Sequence, residues 1–355
     1  MSDTQICHIN VARGFRGGER QTELLIRELA KRRVSQALIC RRSQPLVSRL
    51  ADIDIEIREV SGNPLAVAMR AGQAQLLHVH EGRSVYAAYL RHLFSGTPYV
   101  ITRRVTNAIK DHRFAHSAYR RAARVAAISP QVESIVRSFD SAIDVTVVFS
   151  ASSGLPFRES AVAELRDRWN GKFVVGHVGA LDMQKGQKTI IEAARRCAIS
   201  HPELHFVLVG GGDDEQHLRQ LAVDLQNLEF TGFVDNVGDF LAAFDLFILP
   251  SNREGLGSIL FDAMERKLAI VASRVGGVPS IVHDNHNGLL IDPGRPDQLR
   301  AAIVRLYEDP ELRHDFGEAG ARIAAANTPA AMCGKYLEIY AAVLGRALGA
   351  AEVAS

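Results

Sequence analysis

The amino-acid sequence predicts an α/β protein built from two doubly wound domains. Three observations predict it. The chain has 355 residues, enough for two domains of about 100–200 residues each. Short Val- and Ile-rich apolar segments alternate with helix-period segments along most of its length, as in parallel sheets covered by helices. The alternation restarts after SASSGLPFRES (150–160), whose Ser and Gly content marks a connection.

In the first domain, residues 1–155, strands are expected at 5–10, 37–40, 54–59, 75–80, 98–102, 124–128 and 145–149. Each is a short apolar run bounded by turn-forming or charged residues. Between them, GERQTELLIRELAKR carries Leu24, Leu25, Ile26 and Leu29 on one helical stripe, and SVYAAYLRHLF and PQVESIVRSF also read as helices. The second domain, 156–330, has expected strands at 172–179, 204–210, 228–232, 246–250, 268–273 and 288–293. Helical segments at 296–309, 310–326 and 332–348 follow with no further strand. Residues 331–355 are assigned to a C-terminal helix and tail that crosses back to the first domain, and 349–355 are expected to fray.

Composition narrows the class. With 47% hydrophobic and 23% charged residues the chain is neither disordered nor collagen-like. It has no run of about 18 apolar residues and no basic, apolar leader, so neither a spanning helix nor a signal peptide is expected. The four cysteines, Cys7, Cys40, Cys197 and Cys333, are far apart, which supports reduced thiols in a cytoplasm over a disulfide framework or a zinc site. The net charge of +2 conceals an asymmetry: residues 1–155 hold 22 basic against 13 acidic side chains, and the remainder 20 against 27. No nucleic-acid fingerprint accompanies the basic half, so an anionic acceptor, an anionic membrane surface or a merely solvated face are the open readings.

In open parallel sheets ligands bind beyond the carboxyl ends of the strands. In the first domain, strand 5–10 runs into VARGFRGGERQTELL, where Gly17 and Gly18 open a helix. Glycines allow close approach to a diphosphate, although the loop is not GxGxxG, and a tight turn would need glycine equally. A dinucleotide dehydrogenase is disfavoured. In the second domain, strand 172–179 leads to Lys185 and Gly186 at a helix start, where a lysine can meet phosphate as a point charge. Strand 246–250 then enters SNREGLGSILFDAMERK. Glu254 is followed by Gly255, Leu256 and Gly257, and Asp262 lies eight residues on, on a helix expected to start near Leu256. A carboxylate beside glycine amides can hold a polyhydroxylated ligand, the acid accepting from hydroxyls and the amides donating to oxygens. Helix capping by Glu254 and a surface Asp262 are the alternative.

These motifs resemble glycosyltransferase family 4, retaining nucleotide-sugar-dependent enzymes of the GT-B fold, in which two Rossmann-like domains face each other. PSNREGLGSILFDAMERKLAIVASRVGGVPS parallels the family's PSxxEGFGxxxLEAMAxGxPVVAxxxGGxPE. Gly17–Gly18, VGALDMQKG, VGGGDD and the segment from Asn287 match further family motifs, so the resemblance covers nearly the whole chain. It implies that Glu254 binds donor-sugar hydroxyls, that Gly255, Leu256 and Gly257 offer amides near sugar and phosphate, and that Asp262 accepts from the ribose. It implies further that Lys185 neutralises the departing diphosphate, that Gly17 and Gly18 close on the donor, and that His80 stands against the donor sugar. Glu254, Lys185 and His80 are thus the candidate catalytic residues. Arg103 and Arg104 are candidates for an acceptor or anion. No metal and no cofactor beyond the nucleotide-sugar co-substrate is expected.

The sequence departs from the pattern where Asp262 replaces a Glu, Ala180 a frequent Arg, and Ser280 a common Glu; Arg16, Arg20 or Arg253 could compensate for the missing cation. The implied function is transfer of a sugar from a nucleoside diphosphate to a glycan or glycolipid acceptor in bacterial lipopolysaccharide or cell-envelope polysaccharide synthesis. The expected location is the cytoplasm, peripheral on the inner membrane, with no nucleic-acid partner. A GT-B-fold sugar-nucleotide epimerase and a non-catalytic nucleotide-sugar-binding partner are the alternatives.

Overall fold

The structure, a computed structural model, describes residues 5–348, so the end expected to fray, 349–355, lies outside the described residues. Two compact units divide the chain. One comprises the residues up to Ala151 together with those from Thr328, and the other is Ser152–Asn327.

In the first unit, seven parallel strands, β1 (Ile6–Asn10), β2 (Gln36–Arg41), β3 (Glu56–Val60), β4 (Leu76–Val79), β5 (Tyr99–Arg103), β6 (Arg124–Ala127) and β7 (Val145–Val147), form one sheet in the order 3-2-1-4-5-6-7. Every strand expected from the apolar runs is present within about two residues. Short helices at Pro45–Arg49, Pro64–Arg70 and Arg113–Arg120 were not individually legible, being five to eight residues long and so below the length at which periodicity speaks. Helix α1 (Gly17–Lys31) buries Leu25, Ile26 and Leu29 at no measurable exposure, as the stripe requires.

The C-terminal helix α2 (Pro329–Leu344) belongs to this first unit. Thr328 caps it by accepting from the Ala331 amide, and Pro329 occupies its first turn. Its Met332, Cys333, Tyr336, Ile339 and Tyr340 pack with Ile6, Leu25, Leu29, Leu76 and Val100 in one core. The spacing of 336 and 340, four residues, puts both tyrosines on the buried face.

The second unit has six parallel strands, β8 (Phe173–Val178), β9 (Leu204–Val209), β10 (Leu228–Gly232), β11 (Leu246–Leu249), β12 (Ala269–Ser273) and β13 (Leu289–Ile291), in the order 10-9-8-11-12-13. Its core joins Val175, Leu204, Phe206, Leu246, Ile248 and Val271 to the inner faces of the helices at Gln187–Ser200 and Pro296–Glu308. In both sheets the strand order reverses beside the first strand of the unit, between β1 and β4 and between β8 and β11. Loops leaving adjacent strands at such a reversal turn to opposite sides and leave a crevice.

Gly186 fixes how the loop after β8 meets β11. It caps the helix Gln187–Ser200 at φ +73°, and a Cβ there would stand 1.9 Å from the carbonyl oxygen of Pro250. Both backbone conformation and contact demand glycine. Gly186→Ala is expected to lower the unfolding free energy by about 2 kcal/mol or more, read as a reduced urea midpoint at unchanged m-value; an unchanged midpoint would contradict the packing described.

Candidate functional site

The reversal in the second sheet brings together the two loops singled out in the sequence. After β8, a turn closed by the Gln184 amide on Asp182 Oδ1 (2.9 Å) and the Lys185 amide on the Asp182 carbonyl (3.1 Å) presents Lys185. After β11, the amides of Asn252 and Arg253 donate to the Gln184 carbonyl at 2.7 and 3.3 Å, so the two loops are tied backbone to backbone. Lys185 Nζ donates to Glu254 Oε2 at 2.7 Å, across 69 residues of sequence, and Ser251 Oγ reaches the same oxygen at 3.3 Å. The side chains of Lys185 and Glu254 remain 26% and 12% exposed, so the pair is partly buried yet reachable.

The segment after Glu254 differs from the sequence expectation in one respect. The helix carrying Asp262 runs over Ile259–Glu265 and does not start near Leu256. Gly257 adopts φ +83°, which no right-handed helical residue can do, so Gly255, Leu256 and Gly257 remain a loop. Leu256 is buried and anchors that loop. Asp262 is only 4% exposed, and its Oδ1 accepts from the Ser153 amide. One oxygen of the Asp262 carboxylate is thus engaged by backbone of its own unit. Ala180 offers its carbonyl to Gln187 Nε2 at 2.8 Å. Gln187 Nε2 also lies 3.3 Å from Nε2 of His177, whose Nδ1 bonds the Ile248 carbonyl at 3.0 Å.

In the first unit the reversal lies between β1 and β4. His8 on β1 is the register partner of His78 on β4, and His80 follows two residues later on the same face. All three rings are buried. His8 Nδ1 lies 2.9 Å from His80 Nε2, and His8 Nε2 lies 3.0 Å from Gln36 Oε1. His78 is held by Tyr340 Oη at 2.6 Å and Thr102 Oγ1 at 2.7 Å, and Thr102 in turn meets Tyr336 Oη at 2.7 Å. His80 Nδ1 is buried with no partner among the described residues. Burial holds the His8 imidazole down at about 4 and pushes His78 and His80 well below the usual histidine range, with Arg104 and the neighbouring rings adding to the effect on both.

Gly17 and Gly18 open α1 at the carboxyl end of β1, and Gly18 lies against the Arg104 side chain, 3.5 Å from its Cδ in Cβ terms. Arg104 Nε and Nη2 are enclosed without partners among the described residues. Arg103, by contrast, is buried and ties Tyr119 Oη and the Asn107 carbonyl, so it braces its own loop. Elsewhere in the basic stretch, Arg120 pairs with Asp140 and Arg124 with Asp144.

Among the described residues, His8, His78 and His80 form a group able to offer three ligand atoms within 4.8 Å of one another. Both nitrogens of His8 and of His78 already have hydrogen-bond partners, so a metal there would have to break that network. Sequence reasoning singled out His80 but not the residues that the structure brings against it or its neighbour, His8, His78, Gln36, Tyr336 and Tyr340. The alternation of His78 and His80 was visible, and the return of the C-terminal helix was expected; the adjacency of β1 and β4 was not.

A model of the family described as glycosyl transferases group 1 matches residues 165–323, a stretch that holds Lys185, Glu254 and Asp262. The chain is 31% identical over 186 residues to an alpha-D-kanosaminyltransferase of Streptomyces kanamyceticus, covering 50% of this chain and 48% of that protein. It is 32% identical over 150 residues to the lipopolysaccharide core biosynthesis glycosyltransferase LpsE of Rhizobium meliloti, covering 41% and 43%. These matches span about half the length of those curated relatives. The crystal structure of Anabaena HepE in complex with UDP-glucose superimposes with a TM-score of 0.85 at 20% identity, over 96% of this chain and 99% of that one, which shows the GT-B fold. Among the described residues no helix is long and apolar enough to cross a membrane.

The buried histidines set a pH dependence. Burial holds His177 down at about 4, whereas in the unfolded chain it titrates near 6.5. Between those values the unfolded chain binds a proton that the folded one refuses, so stability falls as pH falls through this window and the contribution is constant above it. Denaturant titrations at pH 7.5, 6 and 5 are expected to show that loss, and His177→Gln to reduce its slope by up to about 1.4 kcal/mol per pH unit. An unchanged slope would show that His177 is charged in the folded state.

Proposed function

We propose that the chain is a retaining, nucleotide-sugar-dependent glycosyltransferase acting on a glycan or glycolipid acceptor at the cytoplasmic face of a bacterial envelope. The single observation that carries the reading is the contact between Lys185 and Glu254 at the strand reversal. A lone carboxylate could cap a helix and a lone lysine could be solvated; a half-buried pair on two loops that converge at a ligand-binding crest is what a sugar diphosphate, with hydroxyls at one end and anionic oxygens at the other, would separate. The relatives named as glycosyltransferases, LpsE among them, and the UDP-glucose complex of HepE support the same reading.

In this reading the donor's phosphate oxygens take over Lys185 Nζ, and Glu254 accepts from sugar hydroxyls. Lys185 Nζ and Ser251 Oγ both donate to Glu254 Oε2. The bond between the anomeric carbon and the diphosphate oxygen breaks, and the diphosphate leaves with the electron pair. The acceptor oxygen bonds to that carbon from the same face and passes its proton to a donor phosphate oxygen. Charge grows on the leaving group and on the oxocarbenium-like sugar, so a preorganised cation and carboxylate stabilise the transition state. No metal is required. Asp262 accepts from the ribose hydroxyls, and Gly255, Leu256 and Gly257 hold sugar and phosphate by backbone amides.

Glu254→Gln removes one charge-assisted hydrogen bond and is expected to lower kcat/KM about 10- to 100-fold, with the fold preserved by circular dichroism; an unchanged rate would remove Glu254 from the mechanism. Nucleoside diphosphates screened by thermal shift are expected to raise the melting temperature for one base above the others, by binding the folded form selectively. No shift with any base at millimolar concentration would overturn the reading.

A further inference from the structure

The hydrogen bonds beneath β1 and β4 have a direction. Gln36 Nε2 donates to the Ile26 carbonyl at 3.1 Å, which fixes the amide and leaves Oε1 as an acceptor facing His8 Nε2 at 3.0 Å. A carbonyl-type oxygen has no proton to give, so the proton lies on His8 Nε2. A neutral imidazole with Nε2 protonated has a bare Nδ1, and among the described residues the polar atom that Nδ1 meets is His80 Nε2 at 2.9 Å. His80 Nε2 must therefore be the donor, and its own Nδ1 carries the lone pair. That Nδ1 is the atom left buried without a partner, on a residue 2% exposed. The chain of bonds runs from the Ile26 carbonyl through Gln36 and His8 to His80.

We infer that Gln36 and His8 are positioning residues that lock His80 as its Nε2-protonated tautomer, so that His80 Nδ1 is a dedicated hydrogen-bond acceptor for a ligand hydroxyl. The inference deepens the glycosyltransferase reading and rests on it for the identity of the hydroxyl, that of the donor sugar. The enclosed Nε and Nη2 of Arg104, beside Gly18, are unpartnered donors in the same unit. An unpartnered acceptor and unpartnered cationic donors together fit a ligand bearing hydroxyl and anionic oxygens. The other groups facing the three rings, Thr102, Tyr336 and Tyr340, hold His78 and leave His80 Nδ1 untouched. A metal would instead require the lone pair of His8 Nδ1, which already accepts from His80.

Nitrogen NMR of the full chain labelled with 15N-histidine reads the tautomer directly, with the His80 signals assigned by their loss in His80→Gln. The expected spectrum has His80 Nδ1 pyridine-like and Nε2 protonated, and His8 the same. Gln36→Leu removes the acceptor that orients His8; it is expected to move His80 towards the Nδ1-protonated form and to lower kcat/KM for the nucleotide sugar about 10-fold, the loss of one neutral hydrogen bond. Affinity for the bare nucleoside diphosphate, which lacks the sugar, is expected to stay unchanged, which a merely structural role would not predict. A protonated His80 Nδ1 in the unsubstituted chain, or stoichiometric uptake of Zn2+ that abolishes the His80 signals, would overturn the inference. If the chain binds no nucleoside diphosphate, the glycosyltransferase reading fails, while the tautomer spectrum still decides the relay.

Discussion

The pairing of Lys185 with Glu254 depends on a constraint set by topology. Two loops separated by 69 residues meet only because β8 and β11 are neighbours in a sheet whose strand order reverses between them. Gly186 lets the first loop pass against the carbonyl of Pro250, and the Gln184 carbonyl accepts from the second loop's amides. Side-chain chemistry at the site is thus held by backbone geometry, which is what allows two flexible, charged side chains to be placed within a hydrogen bond of each other.

Magnitudes explain why such a pair suits a binding site. An ion pair with its lysine still 26% exposed is worth about 1 kcal/mol or less to stability. It is a weak reason for the fold to keep both charges and a small barrier to a ligand that replaces each partner with a better one. The first unit shows the opposite regime. Its three histidines are buried and neutral, held by amide, hydroxyl and imidazole partners, and an unpaired proton there would be costly. One unit therefore offers exchangeable charge, and the other a rigid, directed set of hydrogen bonds.

Much of this was legible in the sequence. The thirteen apolar runs became the thirteen strands because a parallel strand buried on both faces must be apolar throughout. Lys185 and Glu254 were singled out because each follows a strand, where ligands bind, and His80 because it resembles a family position. Strand order was not legible, since crossover connections leave no mark in the linear pattern, and so the adjacency of Lys185 with Glu254 and of His8 with His78 and His80 had to come from the structure. The start of the helix bearing Asp262 was misplaced because glycine in a helical pattern costs only about 1 kcal/mol, and pattern alone does not reveal a positive φ. The basic count of the first unit overstated free charge: Arg103, Arg120 and Arg124 are each engaged within that unit.

The most direct measurement is a crystal structure of the chain soaked with a nucleoside-diphosphate sugar. The account predicts Lys185 Nζ within hydrogen-bond distance of a phosphate oxygen and the Glu254 carboxylate accepting from the sugar's hydroxyls, their mutual contact lengthened or shared. A ligand bound while Lys185 and Glu254 stay closed on each other, with neither touching it, would contradict it.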